Sequence, residues 1–134
     1  MRLAGDGRED RVIHLDTSAL VAALGGERSA LPRLRRFIEQ GDRIGVSSLV
    51  LYEWWRGPRT KSELAYQELL LPRDAAFPFS AAEATVAAEI SRKLGNPRQR
   101  STDMAIAACA MTNGASLWTL NARDFLDIPG LTLA

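Results

Sequence analysis

The chain has 134 residues, 46% of them apolar and 25% charged, with a formal net charge of +1. That balance excludes a disordered chain, a second sizeable core and a global basic field for nucleic acid, so one globular domain is expected. The single cysteine, Cys109, excludes an internal disulfide and reads as a packed thiol in a reducing, intracellular setting.

Residues 1–10 are mostly polar and charged and have no apolar run of signal-peptide length. They read as a loose leader with neither secretion signal nor membrane anchor, ahead of a domain over residues 11–134. Arg11 to Asp16 predicts a short buried strand, and Thr17-Ser18 a cap for a helix from Ala19 to Leu24 that Gly25-Gly26 stops. Leu31, Leu34, Phe37 and Ile38 recur at helical spacing, which predicts a helix from Ala30 to Gln40 with Pro32 in its first turn.

A second strand is expected over Arg43 to Val46, then a helix capped by Ser47-Ser48 and ended at Gly57-Pro58. Lys61 to Leu71 is a further helix, followed by an extended piece from Ala75 to Phe79. Ser80 caps a helix from Ala81 to Leu94 with Ala82, Val86, Ile90 and Leu94 as its apolar side. Ser101-Thr102 caps the helix that Asp103 opens, Gly114 stops it, Ser116 to Thr119 returns as a strand, and Asp124-Phe125-Leu126 begins a last turn. Short strands alternating with longer helices predict an α/β sandwich with a central, mainly parallel sheet, whose ligands gather beyond the carboxyl ends of the strands.

Three acids stand where apolar or merely capping residues would serve. Asp16 ends the run Val12-Ile13-His14-Leu15, Glu53 interrupts Leu49-Val50-Leu51-Tyr52-Trp54-Trp55, and Asp103 opens a small-residue helix; Asp124 is a fourth candidate. Taken singly, each has a plain structural use: Asp16 as a helix cap, Glu53 on a solvent face, Asp103 against a helix dipole, Asp124 as the cap of a turn. Taken together, ionised acids in a half-dry place need a cation, and oxygen ligands suit Mg²⁺ or Mn²⁺ and chemistry on phosphates.

Arginine greatly outnumbers lysine, Lys61 and Lys93 being the only lysines. The stretches containing Arg56, and Arg98 with Arg100, lie beside Glu53 and Asp103, so these arginines are candidates for gripping nucleic-acid phosphates, against the plainer reading of solvated surface charge. His14 is the only histidine, which excludes two-histidine ribonuclease chemistry, a histidine-rich zinc site and an HExxH protease. Inside an apolar strand it reads as a packed residue. No phosphate loop of the GxxxxGK[ST] type and no GxGxxG turn is present. Trp54 and Trp55 point about 100° apart on one helix, so either one packs inside while the other meets a partner, or the helix from Lys61 covers both.

Four segments, Asp16-Thr17-Ser18-Ala19-Leu20, Ser47-Ser48-Leu49-Val50-Leu51-Tyr52-Glu53 leading to Arg56-Gly57, Thr102-Asp103-Met104-Ala105-Ile106-Ala107-Ala108 and Thr119-Leu120-Asn121-Ala122-Arg123-Asp124-Phe125, resemble the PIN-domain ribonucleases, specifically the VapC-like toxins of toxin–antitoxin pairs. The resemblance runs from Val12 onward. It implies a three-layer PIN sandwich and a Mg²⁺- or Mn²⁺-dependent endoribonuclease in the cytoplasm. Asp16, Glu53 and Asp103 match the family's principal acids, and Asn121 stands where some relatives carry an acid, with Asp124 nearby. On that resemblance Asp16 and Asp103 hold the metal, Glu53 orients or deprotonates water, and Asn121 with Asp124 completes the pocket. A homodimer and a cognate antitoxin, whose tail enters the acidic groove, are also implied. The alternatives are a PIN-like domain that binds RNA or protein without cutting it, and a metal-dependent nuclease of the same fold acting on DNA.

Overall fold

The structure, a computed structural model, describes residues 11–134; the leader expected over residues 1–10 lies outside them. Val12–Leu15 forms β1, whose Ile13, His14 and Leu15 are buried because both of its edges and both of its faces are covered. β2 (Arg43–Gly45) pairs parallel on one side, with Val12 opposite Arg43, and β3 (Ala115–Trp118) on the other, with Leu15 opposite Trp118. The order is β2-β1-β3. Isolated parallel bridges join Ser47 to Phe77 and Leu117 to Leu133. The Arg11 guanidinium grips Asp42 with two hydrogen bonds of 3.1 and 2.8 Å, which fixes the start of β1 against the turn into β2.

Six helices carry the crossovers: α1 (Thr17–Leu24), α2 (Leu31–Glu39), α3 (Ser48–Arg56), α4 (Lys61–Leu70), α5 (Ala81–Lys93) and α6 (Ser101–Thr112). Right-handed parallel crossovers that run to opposite sides of β1 place α1 and α2 on one face of the sheet and α6, with α5 against it, on the other. The architecture is the α/β sandwich that the sequence predicts. The core joins Ile13, Leu15, Leu20, Leu34, Val50, Trp54, Met104, Ile106, Leu117, Trp118 and Phe125. Gly114, at φ +62°, supplies the left-handed turn that ends α6 and starts β3. Among the described residues no helix is long and apolar enough to cross a membrane.

Four local expectations are corrected. Thr17 and Ser18 do not cap α1 but form its first turn, with Asp16 as the residue before it. Ser101 and Thr102 do not cap α6 but lie within it, because a 3-10 turn over Arg98–Arg100 winds directly into the helix and leaves Arg100 at the cap position. The stretch expected to be extended from Ala75 begins as a 3-10 turn, Arg73–Ala75, and only Phe77 pairs. On α5, Ile90 is buried as expected, but Ala82 is exposed and Glu83 is buried in its place. Glu83 accepts from the Ser80 N–H at 2.8 Å, from the Ser80 hydroxyl and, across to α6, from the Thr112 hydroxyl at 3.0 Å; these bonds hold its carboxyl down to about 2.

Trp54 is fully buried while Trp55, 40% exposed, donates its indole N–H to Gln67 of α4 at 3.0 Å, so the two point apart as their spacing requires. Cys109 is buried, the packed thiol expected, and burial pushes it up to about 11, which keeps it protonated and unreactive.

Candidate functional site at the carboxyl edge of the sheet

Asp16 follows the last residue of β1, and its backbone N–H continues the sheet by donating to the Trp118 carbonyl at 2.9 Å. It occupies the residue before α1, yet its side chain makes no capping bond. The capping use is therefore set aside. The carboxylate, buried to 5% exposure, instead accepts from the Thr119 hydroxyl at 2.8 Å and the Ser18 hydroxyl at 3.1 Å. Ser18 also accepts from the Leu120 N–H at 3.0 Å, and Thr119 from the Asn121 N–H at 3.0 Å. The loop after β1 and the loop after β3 are thus laced together by two hydroxyls around one acid.

Glu53 projects from the middle of α3, is half-buried rather than solvent-facing, and accepts a hydrogen bond from the Thr17 hydroxyl. That contact brings α3 to the same edge. Asp103 lies in the first turn of α6, where a helix dipole alone would depress its pKa. The shift goes the other way. Burial, then the charges of Asp16, Asp124 and Glu53, push Asp103 up to about 6, with the Arg100 guanidinium pulling weakly against them. The four acids therefore share one electrostatic neighbourhood although they are far apart in sequence.

Asp124 closes a 3-10 turn, Ala122–Asp124, that follows β3, and its N–H donates to the Asn121 carbonyl at 2.9 Å. Both Asn121 and Asp124 are exposed on this turn. The turn is fixed by Arg100, which donates to the Asp124 carbonyl at 2.9 Å and forks onto Asp127 at 2.9 and 2.6 Å. Of the other candidate arginines, Arg98 is exposed, and Arg56 is exposed with its guanidinium 5.6 Å from the Tyr52 ring centroid. Arg59, in the same stretch as Arg56, is folded back onto Trp54, donating to its carbonyl at 2.9 Å.

The edge suits a hard divalent cation in donor type and charge, since its acids offer carboxylate oxygens and mutual repulsion that a cation relieves. Among the described residues, however, no three His, Cys, Asp or Glu side chains close around one point as a full ligand set. Hydroxyls hold Asp16 and Glu53 instead. Thr17, Ser18 and Thr119 were not singled out as site residues from the sequence, although all three lie directly beyond the strand ends where ligands are expected.

His14 takes no part in the edge: it is fully buried, stacked on Phe77 at 5.8 Å between ring centroids, and neither ring nitrogen has a hydrogen-bond partner. Separately, α1, α2 and α4 bound an apolar groove of about 240 Å³ lined by Leu24, Leu31, Ile38, Tyr66 and Leu69, with Arg28 and Arg35 also in its wall.

Known proteins are similar to this chain in sequence and in fold. The PIN domain family model matches residues 13–131. Ribonuclease VapC19 of Mycobacterium tuberculosis is 36% identical over 127 residues, covering 87% of this chain and 94% of that protein. Among solved structures, VapBC2 from Rickettsia felis bound to a promoter DNA fragment is similar with a TM-score of 0.72 at 24% identity, covering 92% of this chain and 97% of that one. DNA-bound VapBC from Salmonella typhimurium gives 0.70 at 22% identity with the same coverage. With the predicted sandwich, the acids at its carboxyl edge and this match over nearly the whole sequence, the chain belongs to the PIN domain family.

Proposed function

We propose that the protein is a Mg²⁺- or Mn²⁺-dependent endoribonuclease, the toxin of a VapBC-type toxin–antitoxin pair, working in the cytoplasm. The observation that carries this reading is the gathering of Asp16, Glu53, Asp103 and Asp124 at one edge of the sheet, with Asp16 and Glu53 held there by the Ser18, Thr119 and Thr17 hydroxyls and Asp103 feeling the charges of the other three. The likeness to a ribonuclease supports RNA as the substrate.

In this reading Asp16 and Asp103 would hold the cation through carboxylate oxygens. When bound, it supplies Lewis acidity toward the phosphate and the attacking water. Ser18 and Thr119 keep Asp16 turned to the edge, and Glu53, steadied by Thr17, orients the water and takes its proton as the water oxygen bonds to phosphorus and the phosphorus–oxygen bond to the leaving group breaks, the leaving oxygen taking a proton from solvent. Asn121 and Asp124 complete the pocket, the amide adding an oxygen donor without further charge. Purified protein incubated with RNA and, in parallel, DNA is expected to cut RNA with Mg²⁺ and not with EDTA. Binding without cutting would favour a non-catalytic domain, and cutting of DNA alone would favour the DNA-directed nuclease of the same fold.

Arg56 and Arg98, exposed and close in sequence to Glu53 and Asp103, are assigned to RNA phosphates. Changing both to alanine should weaken RNA binding and reduce the slope of log affinity against log salt by about 1.4 for single strands. Equal affinity at two salt concentrations would dispose of this assignment.

The solved relatives described as VapBC complexes support an antitoxin partner. Its tail would enter the acidic edge, and the apolar groove with Arg28 and Arg35 suits an apolar segment bearing acidic residues. A homodimer is supported by Tyr52, 62% exposed, and by Trp55 on α3. A light-scattering mass of one chain would remove the dimer.

A further inference from the structure

Arg100 stands at the junction of the two segments that carry Asp103 and Asp124, and its guanidinium is already engaged. Nη1 donates to Asp127 Oδ2 at 2.9 Å, and Nη2 donates to Asp127 Oδ1 at 2.6 Å and to the Asp124 carbonyl at 2.9 Å. The residue itself is the cap position of α6, three residues before Asp103. One planar side chain thus spans from the base of α6 to the turn after β3, across 24 to 27 residues of sequence.

We infer that Arg100 and Asp127 form a positioning strap, which holds the Asp124 turn against the first turn of α6 so that Asp124 stays beside Asp103 and completes the pocket in which Asp16 and Asp103 would hold the cation. This rests on the reading of the acid edge as a metal site. Asp103 and Asp124 carry like charges, and a 3-10 turn of three residues has little internal stiffness to keep them together. A bidentate guanidinium–carboxylate pair fixes orientation as well as distance, and the third bond, to the Asp124 backbone, transmits that fixity to the acid's own residue.

Stability is not its main consequence. Arg100 and Asp127 side chains are 29% and 52% exposed, and exposed ion pairs contribute little to folding. What the fork supplies is shape, which lysine lacks. The arrangement also separates Arg100 from Arg98 and Arg56: two of its nitrogens already serve a carboxylate and a carbonyl, so it steers the acids rather than RNA.

The test uses the full chain with Arg100→Lys, which keeps the charge and loses the fork, and Asp127→Asn, which leaves Arg100 intact. Calorimetric titration with Mn²⁺ alone, without RNA, is read beside kcat and KM for RNA cleavage. Each variant is expected to bind Mn²⁺ about 10-fold more weakly and to lose kcat, with KM near wild type and the melting temperature within about 2 °C. The double variant should be no worse than the poorer single one, because both break the same strap. Wild-type Mn²⁺ binding in Arg100→Lys overturns the inference. So does a raised KM with unchanged Mn²⁺ binding, which would make Arg100 a phosphate grip. If the wild-type chain itself neither binds Mn²⁺ nor cuts RNA, the metal-site reading falls and the strap with it.

Discussion

Replacing Asp16 or Asp103 by asparagine should lower Mg²⁺-dependent RNA cleavage by at least about 10²-fold, because each removes a charge aimed at the centre of the acid edge. The two variants should differ in stability. Asp16 is satisfied by Ser18 and Thr119, and an amide can keep only part of that bonding. Asp103 is the acid whose ionisation the fold opposes: its folded pKa of about 6 lies above the ordinary 3.8. The folded state then binds more protons than the unfolded one between these values, so metal-free stability from this group rises as pH falls from about 6 toward 3.8. Asp103→Asn removes the repulsion at every pH. In EDTA at pH 7.5 it should be more stable than wild type by about 1 kcal/mol, a figure reduced for the solvent screening of a half-buried group. Urea unfolding in EDTA and cleavage in Mg²⁺ check the two halves separately. Wild-type cleavage by both variants would reject the site, and a destabilised Asp103→Asn would reject the repulsion.

His14 sets an opposite pH response. Burial lowers its pKa from 6.5 to about 4, so the unfolded chain takes up a proton that the folded chain refuses. Its contribution to stability is complete above about pH 7 and is lost as pH falls through 6.5 toward 4. At pH 5 the loss is about 2 kcal/mol, from the ratio of proton binding in the two states. His14→Leu should therefore unfold with about 2 kcal/mol less acid sensitivity between pH 7.5 and 5 than wild type, whatever its stability at neutral pH. The measurement is a pair of urea titrations in EDTA for each protein. Parallel pH dependence in the two would mean that the imidazole is protonated inside the fold.

Asp103 and His14 act in overlapping windows with opposite signs, so the wild-type profile alone understates both. Adding Asp103→Asn to His14→Leu should leave the region between pH 7.5 and 5 flatter than either single change.

The architecture was legible wherever one physical signal dominated a segment. The apolar run Val12 to Leu15 reads as a buried strand and is the central one, and the Gly114 stop and the divergent tryptophans followed from backbone and helix geometry. Misreadings arose where a side chain was recruited from a distance. Thr112, on another helix, helps draw Glu83 into the place expected for Ala82, and no periodicity within α5 contains that information. Likewise the Arg98–Arg100 turn displaced a cap that local composition favoured.

For the site, the sequence offered the acids because carboxylates interrupt apolar patterns. The hydroxyls of Thr17, Ser18 and Thr119 interrupt nothing and double as helix formers or caps, so their role emerges only when the ends of β1 and β3 lie side by side. Arg100 was recognised as basic and near Asp103, while its use of Asp127, 27 residues onward, depends on how the last turn folds back.

The central place of β1 has a consequence for synthesis. Its second edge waits for Ala115–Trp118, and Asp16 meets Thr119 only after 103 further residues have been made. Contacts of such long range close late and slowly. A ribosome-bound chain that has not yet released β3 holds Asp16 without the Thr119 hydroxyl and without the Asp124 turn, so the acid edge cannot assemble on the emerging polypeptide until the residues after β3 are free to fold back.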